Sequence, residues 1–256
     1  MGRDSSSSDV DRSALPQVAI LSDIHGNRHA LDAVREEIDR RGITAWWCVG
    51  DLVGYGADPV AVLDTCRRES TRCIGGNHDL VVAGRLPISS FASWARDAAL
   101  WTIAALGTDR CEWLGSLFPV DRDEPVTLAH GSLRDPVWEY VTTAQDAAAT
   151  FALASTAVTC VGHTHVPALW HQLPDGTVTA VPAAGTVRLD DGQWLANPGS
   201  VGQPRDGDAR AAWAVFTADT REMEFVRTAY DIAGAQAAIR SAGLPDLLAD
   251  RLGEGL

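Results

Sequence analysis

The stretch Gln17-Val18-Ala19-Ile20-Leu21-Ser22-Asp23-Ile24-His25-Gly26-Asn27 sets the reading of the whole chain. Val18 to Leu21 is a short apolar run suited to a strand covered on both faces, and it ends abruptly in polar Ser22-Asp23. Asn27 can then cap a helix in which Leu31, Val34 and Ile38 fall at helical spacing, with Glu36, Glu37, Arg40 and Arg41 on other faces and Gly42 as a stop. The pattern repeats. Trp46 to Val49 runs into Gly50-Asp51, Asp58-Pro59 opens a second helix, and Arg72 to Ile74 runs into Gly75-Gly76-Asn77-His78-Asp79. Strand, helix, strand, helix, strand predicts a parallel sheet whose functional groups collect beyond the carboxyl ends of its strands.

Farther along, residues 89 to 106 carry Phe91, Trp94, Ala98, Trp101 and Ala105 at helical spacing. This helix either packs on the core by its aromatic stripe or forms part of a lid over a substrate pocket. Val126 to Ala129 and Ala157 to Val161 read as strands, and Ala144 to Leu153 as a helix. Hairpins are expected around Asp175-Gly176 and Asp191-Gly192, strands near 211–217 and 222–228, and short helices near 231–241 and 245–252. An α/β half followed by a β-rich half predicts an α/β fold of two sheets packed face to face with helices outside. The expected organisation is a disordered leader over residues 1–15 and one domain over 16–256, with a helical insertion at about 85–118.

The chain has 256 residues, 46% hydrophobic and 21% charged, the balance of a globular protein. Its net charge is −13 and all 21 cations are Arg. Without Lys there is no Walker-type phosphate loop, no Schiff-base nucleophile and no pyridoxal anchor. The acidic balance also disfavours a nucleic-acid coat. The five cysteines, Cys48, Cys66, Cys73, Cys111 and Cys160, never occur as CxxC and read as reduced core thiols of a cytoplasmic protein. Neither a signal peptide nor a membrane span is expected. Met1-Gly2 with Ser6 matches a myristoylation pattern, best read as chance in a Ser/Asp-rich tail.

Five of the seven histidines (His25, His78, His130, His163, His165) stand where an apolar run meets a Gly-rich or polar loop. A single such histidine would more often be structural. Together with Asp23, Asp51 and Asn77 at equivalent strand ends, they favour one shared site. Imidazoles mixed with carboxylate and amide oxygens, and no thiolate, suit Mn²⁺, Fe, Co²⁺ or Zn²⁺ and suit Ca²⁺ or structural zinc poorly. So many ligands exceed what one tetrahedral ion can use, whereas two ions sharing a carboxylate would use them. Asp23 with His25, and His163 with His165, are spaced i, i+2, which places each pair on one side of an extended segment.

Asp23-Ile24-His25-Gly26-Asn27, Gly50-Asp51-Leu52-Val53-Gly54, Gly76-Asn77-His78-Asp79, His130-Gly131 and Gly162-His163-Thr164-His165 resemble the five ordered motifs of the calcineurin-like metallophosphoesterases. Asn197-Pro198-Gly199-Ser200 resembles the compact bacterial and archaeal phosphodiesterase-like branch. The resemblance implies a four-layer α/β/β/α sandwich with a two-metal site along one sheet edge. It implies Asp23, His25 and His165 on one ion, Asn77, His130 and His163 on the other, Asp51 bridging, and His78 unbound beside the substrate. The sequence leaves open which of His163 and His165 faces which ion. Mn²⁺ is the first expectation, with Fe, Zn²⁺, Co²⁺ or Ni²⁺ as alternatives. A metal-bridging hydroxide would attack phosphorus, and His78, as an imidazolium, would hold a phosphate oxygen or protonate the leaving group.

Gly54-Tyr55-Gly56 departs from the protein phosphatases and symmetrical dinucleoside tetraphosphatases, and Asp79 departs from the Glu of the protein phosphatases. The expected partner is a small phosphodiester, phosphomonoester or nucleotide, with asymmetrical cleavage of a dinucleoside polyphosphate as the alternative; a non-catalytic scaffold and a nuclease rank lower. Asn27 and Arg205 are candidate substrate contacts, although Arg205 would equally pair with Asp206 or Asp208. Trp138 and Tyr140 either stack on a base or simply pack. Asp79 either orients His78 or opens a helix. Oligomeric state is not legible.

Overall fold

The computed structural model describes residues 17–256. The expected leader and the myristoylation pattern lie outside the described residues.

Strand β1 (Gln17–Leu21) is covered on both faces. Val18 and Ile20 point into the core between the sheets, while Ala19 and Leu21 point at the helices outside. Strand β2 (Ala45–Val49) repeats the division, with Trp47 and Val49 inward and Trp46 and Cys48 outward. Helix α1 (Arg28–Arg40) buries Ala30, Leu31, Val34 and Ile38, the stripe the spacing predicts. Helix α2 (Pro59–Glu69) and strand β3 (Arg72–Ile74) complete the first unit, and β1, β2 and β3 pair in parallel.

After α3 (Asn77–Val82) and a 3-10 turn at Ile88–Ser90 comes α4 (Ser93–Ser116), ten residues longer than the expected end at 106 and kinked at Gly107, whose φ is 72°. Its buried stripe is Ala95, Ala98, Ala99, Thr102 and Leu106, and Ala105 is exposed. The aromatic residues Trp94 and Trp101 therefore lie at the edge of the packed face, not at its centre.

Next come β4 (Val120–Asp121), β5 (Val126–Ala129), α5 (Ala144–Phe151), β6 (Val158–Cys160), β7 (Ala168–Gln172), β8 (Val178–Val181), β9 (Gly185–Arg188), β10 (Gln193–Asn197), β11 (Ala211–Thr217) and β12 (Glu222–Thr228). Helices α6 (Ile232–Ser241) and α7 (Asp246–Glu254) follow. One sheet has the order β3-β2-β1-β11-β12-β9, the other β4-β5-β6-β10-β7-β8, and both are mixed. Val18, Ile20, Trp47, Ala214 and Phe216 of the first meet Val126, Leu128, Cys160, Leu169 and Trp194 of the second. With α1, α2 and α4 on one outer face and α5 on the other, this is the four-layer α/β/β/α arrangement.

Asp175-Gly176 joins β7 and β8 as a hairpin, as expected. Asp191-Gly192 does not form one. β9 pairs with β12 while β10 pairs with β6 and β7, so this turn carries the chain from one sheet to the other. Gly192 supplies the turn with φ 103° and sits against the Gln172 carbonyl, where a Cβ would come within 2.3 Å. The local turn signal was correct, but the partner strands are fixed by burial of Leu189 between the sheets.

Candidate metal centre

All seven candidate ligands lie at carboxyl ends of parallel strands from both sheets: Asp23 and His25 after β1, Asp51 after β2, Asn77 after β3, His130 after β5, His163 and His165 after β6. All are buried, His163 least so at 6% exposed. Five of them, Asp23, His25, Asp51, His163 and His165, have φ between 50° and 68°. Non-glycine residues there cost roughly 1–2 kcal/mol each, and such strain gathers at functional sites. This corrects the extended i, i+2 expectation. The chain kinks at each ligand, Ile24 turns into the core, and His163 and His165 diverge into different groups.

Asp23, His25 and His165 offer ligand atoms within 4.8 Å of one another, as do Asp51, His130 and His163. His25, Asp51 and His78 form a third such group. Asp51 Oδ2 lies 3.6 Å from His25 Nε2 and 3.3 Å from His130 Nε2, between the first two groups. Asn77 Oδ1 is 3.1 Å from His130 Nε2.

Backbone carbonyls fix the ring tautomers. His25 Nδ1 donates to Val53 O (3.1 Å), His130 Nδ1 to Val49 O (2.9 Å) and His165 Nδ1 to Gln203 O (2.6 Å). His163 Nε2 instead donates to the Trp138 carbonyl at 3.2 Å, which leaves Nδ1 bare. Burial keeps His25 and His165 well below the usual imidazole range and holds His163 at about 3. His25 Nε2 and His165 Nε2 thus face each other as lone pairs at 3.0 Å. Two acceptors at that distance need a cation between them, and outer hydrogen bonds of this kind are how proteins orient metal-binding imidazoles. His130 differs. Burial alone would depress it, but Asp51 and Asp23 raise it to about 9, so without an ion this imidazole holds a proton beside Asp51. The residues fit divalent ions with borderline nitrogen and oxygen preferences.

Glycines and small polar groups permit the close approach. A Cβ on Gly76 would meet Asp51 Oδ1 at 2.1 Å, and one on Gly202 would meet the Ile24 carbonyl at 1.8 Å. Asn197 donates to Gly162 O and Thr164 Oγ1, and Ser200 donates to the Asp23 carbonyl, so Asn197-Pro198-Gly199-Ser200 braces two ligand loops. Asp79 makes no hydrogen bond to His78. Its carboxylate accepts the backbone N–H groups of Leu52, Val53 and Gly76 at 3.0–3.2 Å, tying the loops of Asp51 and Asn77 together.

His78 is 4% exposed and packed against Tyr55 and Phe91, each 4.4 Å away between ring centroids. Burial lowers it to about 4, with Arg205 and His130 adding to the effect, so at rest it is a neutral imidazole, not the expected imidazolium. Asn27 turns away from the cluster. Its Oδ1 caps α1 through Ala30 N and its Nδ2 donates to Gly202 O, which commits both ends of the amide and corrects its assignment to substrate. Tyr140 stacks on His163 at 4.2 Å. Cys48, as expected for a core thiol, is pushed well up by burial beside Cys66 and Cys73. All five cysteines are free.

A cavity of about 280 Å³ opens over the ligands, lined by Asp51, Asn77, His78, Phe91, Trp138 and Arg205 among others. Ser90 to Ala92 and Trp94 form part of its wall, so the start of the 85–118 segment borders the site while the buried stripe of α4 packs on the core. Sequence reasoning gave Tyr55 and Arg251 no place on this wall, whereas Trp94 stood in the helix whose lid reading the sequence left open; only their shared cavity unites the three.

Arg205 is not tied to its acidic neighbours. Asp206 pairs with Arg227 and Asp208 with Arg210, while Arg205 Nη2 donates to Gln203 Oε1 and its buried Nε has no partner. The Arg210 side chain holds Asp208 at about 2. A depressed carboxylate contributes stability above its unfolded value of 3.8 and loses it as pH falls through 2. Asp208→Asn should therefore cost under about 1 kcal/mol at pH 7, given the group's partial exposure. Urea titrations should show that difference shrinking between pH 4 and 2, and a constant difference would contradict the pairing.

The model of the calcineurin-like phosphoesterase superfamily domain matches residues 17–221, and the chain belongs to that superfamily. Among individual relatives, an uncharacterized protein of Methanocaldococcus jannaschii is 35% identical over 244 residues, covering 92% of this chain and 96% of that protein. A metallophosphoesterase of Sphaerobacter thermophilus superposes with a TM-score of 0.84 at 37% identity, over 94% of this chain and 99% of that one. A hypothetical protein of Pyrococcus horikoshii shares the fold, with a TM-score of 0.77 at 20% identity over 94% and 98% of the two chains. No helix among the described residues is long and apolar enough to cross a membrane.

Proposed function

We infer that this protein hydrolyses small phosphate esters using two divalent ions, Mn²⁺ foremost. The observation that carries this reading is the pair of bare Nε2 atoms of His25 and His165, 3.0 Å apart, next to a carboxylate shared with a second group. Asp23, His25 and His165 would hold one ion, Asn77, His130 and His163 the other, with Asp51 reaching both. Bound there, the ions supply an activated water and a positive clamp for phosphate oxygens.

The chain's own residues do the rest. Asp51 accepts His78 N–H at 2.8 Å, which fixes its carboxylate in place. His78, walled by Phe91 and Tyr55 and neutral at rest, would take up a proton from solvent as the phosphate charge arrives and pass it to the oxygen of the departing group. Arg205 presents a guanidinium to phosphate oxygens. Phe91 and Trp138, in edge contact with each other, supply an apolar part of the cavity lining beside His78 and His163.

His78→Ala should retain both ions while kcat falls about 10²–10⁴-fold, the usual worth of a proton donor. The loss should be greater for an alkyl than for a nitrophenyl leaving group; equal losses would rule out proton donation. The function itself is tested by turnover of bis-p-nitrophenyl phosphate with Mn²⁺ against a panel of mononucleotides, diadenosine tetraphosphate and a DNA fragment. Hydrolysis of a small ester supports the reading. Asymmetrical cleavage of the tetraphosphate selects the alternative substrate, preference for DNA means a nuclease, and no turnover with metal bound means a scaffold.

A further inference from the structure

The cavity wall beyond the ligands carries two arginines, Arg205, already turned to the ester phosphate, and Arg251, which the hydrolysis of a simple ester does not need. Arg205 comes from the loop after β10, and Arg251 from α7, which packs against α6 at the far end of the chain. Among the described residues, neither has a carboxylate within ion-pair distance, although most other arginines do. In a chain of net charge −13, two unpaired guanidiniums on one cavity are a local reversal of sign.

Aromatic rings hold them in order. Tyr55 lies 4.4 Å from the ring of His25, with Arg205 Cζ 5.9 Å from the Tyr55 centroid. Trp94 lies 5.4 Å farther along from Tyr55, with Arg251 Cζ 5.4 Å over it. The sequence from the ligands outward is therefore His25, Arg205 on Tyr55, then Arg251 on Trp94. Such stacking pre-orients a guanidinium, and beyond the Nη2 bond to Gln203 Oε1, Arg205 keeps a buried Nε–H without a partner for an anion. Burial and the charge of Arg205 both draw Arg251 below its ordinary value, so the two cations sense each other. An anion between them would relieve that repulsion.

We propose that Arg205 and Arg251 form a second phosphate subsite, so that the substrate is a phosphoanhydride ester carrying at least one phosphoryl group beyond the one attacked, as in a nucleoside di- or triphosphate or a dinucleoside polyphosphate. This choice of substrate class rests on the hydrolase reading above; the subsite itself does not. A cavity of about 280 Å³ has room for several phosphoryl groups, since a water takes only ~30 Å³. Phosphate oxygens match the planar fork bidentately.

Binding is measured by calorimetry on the metal-free protein with tripolyphosphate and orthophosphate, using wild type, Arg251→Met and Arg251→Lys. Met keeps an apolar stem over Trp94, and Lys keeps the charge. Wild type should bind tripolyphosphate at least tenfold more tightly than orthophosphate. Arg251→Met should lose tenfold or more for tripolyphosphate and under twofold for orthophosphate, and Arg251→Lys should fall between. Equal losses for the two anions, no loss, or no wild-type preference would overturn the subsite. With Mn²⁺ added, Arg251→Met should raise KM for diadenosine tetraphosphate at least tenfold while leaving KM for bis-p-nitrophenyl phosphate within twofold. If wild type binds tripolyphosphate as stated yet turns over no ester, the hydrolase reading fails and the subsite stands.

Discussion

Asp51→Asn is expected to purify without either ion, and metal analysis should find less than a tenth of the wild-type content. The substitution is isosteric, so the Oδ1 that accepts His78 N–H can survive as an amide oxygen. What disappears is the negative charge poised 3.6 Å from His25 Nε2 and 3.3 Å from His130 Nε2. Loss of even an outer partner of a metal ligand typically weakens binding 10–100-fold; loss of a carboxylate reaching two ions should exceed that at both. Asn77→Ala, beside His130 in the other group, should spare any ion seated among Asp23, His25 and His165. Two tightly bound ions in Asp51→Asn would refute a shared carboxylate.

The second large effect falls on stability. Asp79→Ala would strip the acceptor from the N–H groups of Leu52, Val53 and Gly76, all buried. An orphaned buried donor costs about 1–3 kcal/mol, so with some entry of water the sum should be about 3–5 kcal/mol. Urea denaturation of the metal-free protein reads it directly, and a loss below about 1 kcal/mol would show that these loops need no tie. Asp79→Asn should be milder, because one amide oxygen can still accept.

Why these residues matter was partly legible from the sequence. The doubly buried β1 and β2 announce themselves by unbroken apolar runs, and the candidate ligands stand where each run stops, so the fold class and the gathering of these residues at one rim were open to reading. Conformation was not. Nothing local in Asp23-Ile24-His25 signals left-handed backbone; it is imposed by hydrogen bonds from His25 N to Asp51 O and from Gly26 N to Leu52 O, partners a strand and helix away. Asp191-Gly192 read as a hairpin because a turn signal names its own geometry and not the strands it joins. Asn27 looked like a substrate contact because the Gly202 carbonyl that occupies its amide is 175 positions distant. Arg251 carried no signal at all, since only the docking of α7 beside Tyr55 and Trp94 gives it a role.

Asp23, His25, Asp51 and Asn77 belong to one sheet and His130, His163 and His165 to the other, all at the same rim of the sandwich. Any ion seated among them is a rivet through both plates, and its affinity opposes their shearing apart at that rim, whereas away from it the sheets meet through the apolar core and the Arg72–Asp121 ion pair. Chelation should thus loosen the molecule from one end, like a clasp undone on a closed book.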